Sequence, residues 1–164
     1  MSVDPVTAVE PEVLALAEAL RTRGVRLVTA ESCTGGLIAA ACTAVAGSSD
    51  WFDRGVVTYS NEAKTELLGV PAATVRRHGA VSEPVARAMA QGALACGPAG
   101  LALAVTGIAG PGGGSPDKPV GTVWLAWATP HGGVHARRLQ LDGDRASVRL
   151  QTVRAALQAG LAAL

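Results

Sequence analysis

The sequence predicts an α/β protein, a three-layer α/β/α sandwich around a mixed, mostly parallel five-stranded sheet. Three observations lead to it. Short runs rich in Val and Leu alternate with segments of helical periodicity, which is the pattern of successive βαβ units. Several of those runs are apolar at both parities, as strands covered on two faces should be. The apolar share is 49% of 164 residues with only 3% aromatic, so the core comes mainly from Ala, Leu and Val, which suits helices packed closely on a Val/Leu sheet. A chain of this length can bury roughly two-thirds of its unfolded surface around one core. Residues 11–164 are therefore read as one domain, and residues 1–10 as a flexible lead-in.

From Pro11 to Gly24, the apolar residues Val13, Leu16, Ala17 and Leu20 recur at the spacing of one helix face, and Gly24 supplies the stop. VRLVTAES reads as a buried strand ending in polar residues, and TGGLIAAACTAVAG as a glycine-opened, alanine-rich helix closed by Gly47. RGVVTYS is a second buried strand, and NEAKTELLG a helical segment ending at Gly69 and Pro71. Pro84 suits the first turn of a helix over VARAMAQGALACG, with Ser82 or Glu83 ahead of it. LALAVTG is a third buried strand that runs into the loop GIAGPGGGSPDKP. VGTVWLAWA is a strand covered on both faces, PHGG a turn, and VHARRLQL its more exposed antiparallel partner. The chain closes with one long helix over DRASVRLQTVRAALQAGLAAL, capped by Asp142 or Asp144.

The charge balance excludes several function classes. A net charge of +1 and 16% charged residues leave no basic stripe for a phosphate backbone, so nucleic acid is not an expected partner. No membrane association is expected either, because the nearest uncharged run, GGLIAAACTAVAG, is too short to span a bilayer. The opening MSVDPVTAVEPE has neither a basic start nor a long apolar stretch, and a cytoplasmic location follows as the expectation. Cys33, Cys42 and Cys96 are odd in number and lack CxxC spacing, which suits reduced thiols. His78, His131 and His135 are scattered without companion ligands, so no metal is expected.

The carboxyl ends of parallel strands share one edge of the sheet, where ligands bind in open α/β folds. ESCTGG, TYSNEAK and TGIAGPGGGS each follow such an end and should converge in one cleft. Ser32 lies between a strand and a helix opened by Thr34, Gly35 and Gly36, where unpaired helix N-terminal amides can serve as an oxyanion hole. A serine hydroxyl needs an adjacent base to act as a nucleophile. Lys64, five residues after Tyr59, meets Ser32 if the two strands are neighbours, and it works as a base only if burial or nearby positive charge, such as that of Arg54, lowers its pKa. Tyr59 and Asn61 add hydrogen-bonding groups. Plainer roles fit the same residues: a helix cap for Ser32 or Thr34, a solvated helical lysine for Lys64, and inert packing for the rival thiol of Cys33. Glycines 107, 110, 112, 113 and 114 let backbone approach a ligand, with Ser115 and Lys118 available to a phosphate. Pro111, Pro116 and Pro119 keep a helix from starting there, so the loop is neither a P-loop nor a dinucleotide fingerprint.

TAESCTGGLIAA, AGSSDWFDRGVVTYSNEAK, HGAVSEPVARAMA and AVTGIAGPGGGSPDKPVGTVWLA together resemble the successive signature blocks of the CinA C-terminal domain family. The resemblance spans Leu14 to the final helix. It implies an amidohydrolase acting on a linear amide, the carboxamide of nicotinamide mononucleotide, to give nicotinate mononucleotide and ammonia in pyridine nucleotide recycling, without metal or organic cofactor. It implies Ser32 as nucleophile, Lys64 as base and Tyr59 as accessory group. Thr34, Gly35, Gly36, Arg54, Asn61, Thr106, Gly107, Gly110 and Ser115 are read as the substrate-binding set, and a homo-oligomer is expected. Many relatives carry this domain behind a larger nucleotide-binding domain, so only the deamidase half of such a protein is expected here. The alternatives are a non-catalytic nucleotide- or phosphate-binding module and a thiol amidase working through Cys33.

Overall fold

The structure is a computed structural model and describes residues 3–164. Five strands form one sheet in the order β2-β1-β3-β4-β5, with β1 over Leu27–Glu31, β2 over Phe52–Val57, β3 over Leu101–Gly107, β4 over Thr122–Thr129 and β5 over Gly133–Gln140. β1 pairs in parallel with both β2 and β3, whereas β3–β4 and β4–β5 are antiparallel. Four strands thus point the same way and β4 alone runs against them, which is the mixed sheet expected.

The helices are α1 (Glu10–Arg23), α2 (Leu37–Thr43), α3 (Asn61–Leu68), α4 (Ala72–His78), α5 (Glu83–Ala95) and α6 (Arg145–Ala163). The two faces of the sheet are distinguished by side-chain size. Leu101, Leu103 and Val105 of β3 face the cluster built from α1, α2 and α6, with Leu16, Leu20, Ile38 and Leu157. Ala102 and Ala104, pointing the other way, meet α5 through Val85, Met89 and Ala90. This is the period-2 alternation of a strand, with the large residues on one side and the small ones where α5 lies close. Gly92 on α5 marks that closeness, because a Cβ there would fall on the Leu68 carbonyl oxygen of α3.

Local signals explain the ends. Gly24 stops α1 in the left-handed region at φ 64°. Ser60 caps α3 by accepting from the Ala63 amide at 3.0 Å, and of the two aspartates considered for α6 it is Asp144 that caps, accepting from the Ser147 amide at 2.9 Å. Two expectations need correction. The helix expected from Thr34 begins only at Leu37, because Gly35 and Gly36 sit at φ 59° and 103° and form a left-handed turn instead. The short helix α4 was not anticipated; its seven residues follow Pro71 and bury only Val75. Of the lead-in, residues 1 and 2 lie outside the described residues, while Thr7–Val9 make a 3-10 turn with Val9 buried. No helix among the described residues is long and apolar enough to cross a membrane.

Candidate active site

Strand register builds the site. Glu31 at the end of β1 pairs with Val57 on one side and Val105 on the other. Ser32 and Thr58, which follow β1 and β2, therefore leave the sheet on one line with Thr106, which is still in β3 and paired with Trp124 of β4. The Ser32 amide donates to Val105 O at 3.1 Å and the Thr58 amide to Glu31 O at 2.9 Å, which extends the ladder one step past the strands.

Lys64 comes to this edge from α3. Helical side chains tilt toward the N-terminus of their helix, so a lysine in the second turn reaches back over the β2–α3 loop. Its Nζ lies 3.0 Å from Ser32 Oγ, 2.8 Å from Thr58 O and 3.2 Å from Tyr59 O. The residue is only 1% exposed, and burial lowers its pKa below the ordinary lysine value. No carboxylate pairs with it among the described residues. A third carbonyl, Ser60 O, lies 3.4 Å from Nζ. As an ammonium Nζ donates to Ser32 Oγ, and as a neutral amine it keeps two N–H groups for these carbonyls and turns its lone pair to the Ser32 hydroxyl.

The cleft has a volume of about 180 Å³, and Ser32, Tyr59, Lys64, Thr106, Gly107 and Arg145 are among the residues lining it. Tyr59 is 60% exposed at its mouth, where Arg145 Nη2 donates to the Tyr59 hydroxyl at 3.1 Å and Arg145 Nη1 to Gly110 O at 2.9 Å. Thr106 donates its hydroxyl to Ala80 O at 3.0 Å. Cys33 also lines the cleft, but burial pushes its thiol up to about 11, so it stays protonated near neutral pH.

The remaining expected site residues divide. Thr34 is buried, with its hydroxyl on Glu31. The Gly35 amide is taken by Ser32 O at 3.0 Å. The first-turn amides of α2, expected to be unpaired, are not: Leu37 N donates to Thr34 O, and Ile38 N and Ala39 N donate to the Glu31 carboxylate at 2.9 and 3.0 Å. Among the described residues, the amides left without a partner beside Ser32 are those of Cys33, Thr34 and Gly36. Arg54 is not in the cleft. It sits near the amino end of β2, level with Val28, and its guanidinium holds Asp53 and Cys96 O. It therefore supplies no charge to Lys64. Asn61 opens α3 but lines a separate groove between α3 and α4, with Thr65, Ala72 and Val75. Ser115 and Lys118 close a turn on each other inside the glycine loop, and Lys118 Nζ caps His78 O. Among the described residues, no three His, Cys, Asp or Glu side chains gather as a metal site would require.

Three residues in contact with the cleft or with the Ser32 turn were missed from sequence: Glu31, Arg145 and Arg149. Glu31 carried a signal, a carboxylate ending an apolar run just before a Gly-Gly turn. The two arginines carried none, since they come from α6 and meet this region only through the fold, Arg145 lining the cleft and Arg149 bonding Cys33 O and Thr34 O outside it.

The chain is similar to known proteins over most of its length. The family model for the CinA C-terminal domain matches residues 10–164. The nicotinamide-nucleotide amidohydrolase PncC of Escherichia coli K12 is 55% identical over 141 residues, 86% of each chain. That of Pseudomonas putida is 54% identical over 154 residues, 94% of each. A CinA-like protein of Citrifermentans bemidjiense is 58% identical over 142 residues, covering 87% of this chain but 34% of that longer protein. Among solved structures, the competence/damage inducible protein CihA of Agrobacterium tumefaciens superposes with a TM-score of 0.92 at 47% identity, covering 99% of this chain and 98% of that one.

Proposed function

The chain belongs to the CinA C-terminal domain family, and we propose that it is an amidohydrolase that converts nicotinamide mononucleotide to nicotinate mononucleotide and ammonia. The observation that carries the reading is the 3.0 Å contact between Ser32 Oγ and the buried, carboxylate-free Lys64 Nζ. A lysine held this way is a proton acceptor rather than a surface cation, and a helix-capping serine has no need of it. The names of the relatives at 54–55% identity supply the substrate.

Neutral Lys64 takes the Ser32 proton as Oγ attacks the carboxamide carbon. The C–O bond forms, and the carbonyl electrons move onto oxygen, which the unpaired amides of Cys33, Thr34 and Gly36 are placed to receive. Collapse of the tetrahedral intermediate breaks the C–N bond, and protonated Lys64 returns its proton to the departing ammonia. Water then attacks the acyl-serine, giving its proton to Lys64. As the ester bond breaks, Lys64 passes that proton to the leaving Ser32 Oγ, which restores the hydroxyl and the neutral amine, and the released acid ionises to nicotinate mononucleotide.

A cleft of about 180 Å³ is smaller than the roughly 300 Å³ at which ligand pockets begin. It takes the carboxamide and ring, so the ribose and phosphate lie across the mouth. There Arg145, rather than Arg54 or Lys118, is the cation facing the ligand, beside Tyr59 and the backbone of Gly107 to Gly110.

The test is ammonia release by the purified protein from nicotinamide mononucleotide and from free nicotinamide. The proposal expects release from the mononucleotide and a much lower kcat/KM for nicotinamide. Binding of the mononucleotide without ammonia would make the chain a non-catalytic nucleotide-binding module.

A further inference from the structure

We infer that Arg149 and Glu31 are positioning residues that hold the Ser32 turn from opposite sides and keep its free amides aimed for the reaction. The inference rests on the amidohydrolase reading above.

The turn from Ser32 to Gly36 contains two adjacent left-handed glycines, at φ 59° and 103°. Glycine is the residue with the most backbone freedom to lose on ordering, so this turn needs restraint from outside itself. Glu31 supplies one side. Its carboxylate is fully buried and accepts from Thr34 Oγ1 at 2.6 Å, Ile38 N at 2.9 Å and Ala39 N at 3.0 Å. A carboxylate on donors at a helix N-terminus forms charge-assisted bonds, which are stronger than neutral ones. Arg149 of α6 supplies the other side. Its Nε donates to Cys33 O at 3.2 Å and its Nη2 to Thr34 O at 3.1 Å, so one rigid guanidinium bridges two successive carbonyls.

The consequence for the amides follows from peptide planarity. In a trans peptide the C=O of one residue and the N–H of the next point in opposite directions. Fixing Cys33 O on Arg149 therefore fixes the Thr34 N–H to point away from it, and that amide is one of those without a partner. Glu31 anchors the same residue through its hydroxyl. The clamp takes up two carbonyls of the turn and two first-turn amides of α2 while leaving the amides of Cys33, Thr34 and Gly36 free. Neither Arg149 nor Glu31 touches Lys64 or lines the Ser32 cleft. Their removal should thus disturb transition-state stabilisation without changing the base.

Arg149→Ala, Arg149→Lys and Glu31→Gln are compared with the unaltered protein for ammonia release from nicotinamide mononucleotide between pH 6 and 10, after a melting curve shows each to be folded. The expectation for Arg149→Ala is a kcat lower by about 30- to 100-fold, somewhat under the cost of deleting one oxyanion donor, with KM within about threefold. The pH midpoint should stay where it was, Arg149→Lys should lie between, and added guanidinium ion should restore part of the Arg149→Ala rate. An unchanged kcat overturns the inference, and so does a raised KM at constant kcat, which would make Arg149 a substrate ligand. The unliganded protein supplies an independent arm. The ¹H–¹⁵N resonances of Cys33, Thr34 and Gly36 should shift or broaden in Arg149→Ala and Glu31→Gln, and unchanged resonances overturn the inference whatever the substrate. If the unaltered protein releases no ammonia, the functional reading fails while this arm still decides the positioning.

Discussion

Replacing Lys64 by arginine separates a base from a mere positive charge. Nζ sits where it can receive the Ser32 proton, 3.0 Å from Oγ, with two carbonyls at 2.8 and 3.2 Å taking its own protons. A guanidinium in that place offers only donors and stays charged at every accessible pH. It cannot accept the serine proton. Positioned general bases contribute about 10²- to 10⁴-fold, and a nucleophile and base acting as one unit about 10⁶-fold. Lys64→Arg should therefore lower kcat by about 10³-fold or more. In the unaltered protein, the rate should follow the neutral fraction of Lys64. At the ordinary lysine value near 10.4, roughly 1 molecule in 2,500 is neutral at pH 7, and burial raises that fraction by lowering the pKa. Activity should rise with pH along one ionisation and level off below the ordinary lysine range. Coupled ammonia assays from pH 6 to 10 read both quantities. Ser32→Ala with Lys64→Arg together should be little worse than either alone. If Lys64→Arg keeps most of the rate, or if the rate is flat with pH, the base assignment is refuted.

Two further outcomes follow from the packing and the cleft mouth. Arg145→Ala removes the cation bridging Tyr59 and Gly110; it should raise KM for the mononucleotide by about tenfold or more while leaving the weaker kinetics of free nicotinamide nearly unchanged, and equal effects on both would remove Arg145 from phosphate binding. Gly92→Ala places a methyl on the Leu68 carbonyl oxygen; overpacking of this kind costs about 1–3 kcal/mol, or roughly 2–12 °C of melting temperature for a chain of this size, and an unchanged melting curve would show that α3 and α5 yield easily.

The parts of the site legible in the sequence were those that lie at strand ends. Ser32, Tyr59, Thr106 and Gly107 each follow or end a recognisable apolar run, parallel pairing of β1 with β2 and β3 brings such ends together, and Lys64 joins them from α3. Arg54 was misplaced for a related reason. β2 starts at Phe52, earlier than the apolar run suggests, which leaves Arg54 near its amino end, away from the cleft. Arg145 lies 86 residues from Tyr59 and 35 from Gly110, and Arg149 lies 116 and 115 residues from Cys33 and Thr34; an arginine on a helix reads from sequence as a solvated one. The free amides were misjudged because a buried carboxylate, Glu31, takes the helix amides, a pairing that depends on three-dimensional reach rather than spacing. α4 escaped notice because seven residues with one buried side chain carry no periodicity.

The most direct test of the Ser32 assignment is turnover by Ser32→Ala beside Cys33→Ala. The serine hydroxyl is needed in the transition state rather than for ground-state binding. Ser32→Ala should therefore lose ammonia release from nicotinamide mononucleotide by about 10⁴-fold or more. Its affinity for the mononucleotide should stay within about tenfold. Cys33→Ala, which removes a thiol held protonated by burial at about 11, should keep most of the rate. Substantial turnover by Ser32→Ala, or its loss in Cys33→Ala alone, would contradict the account and move the nucleophile to the thiol next door.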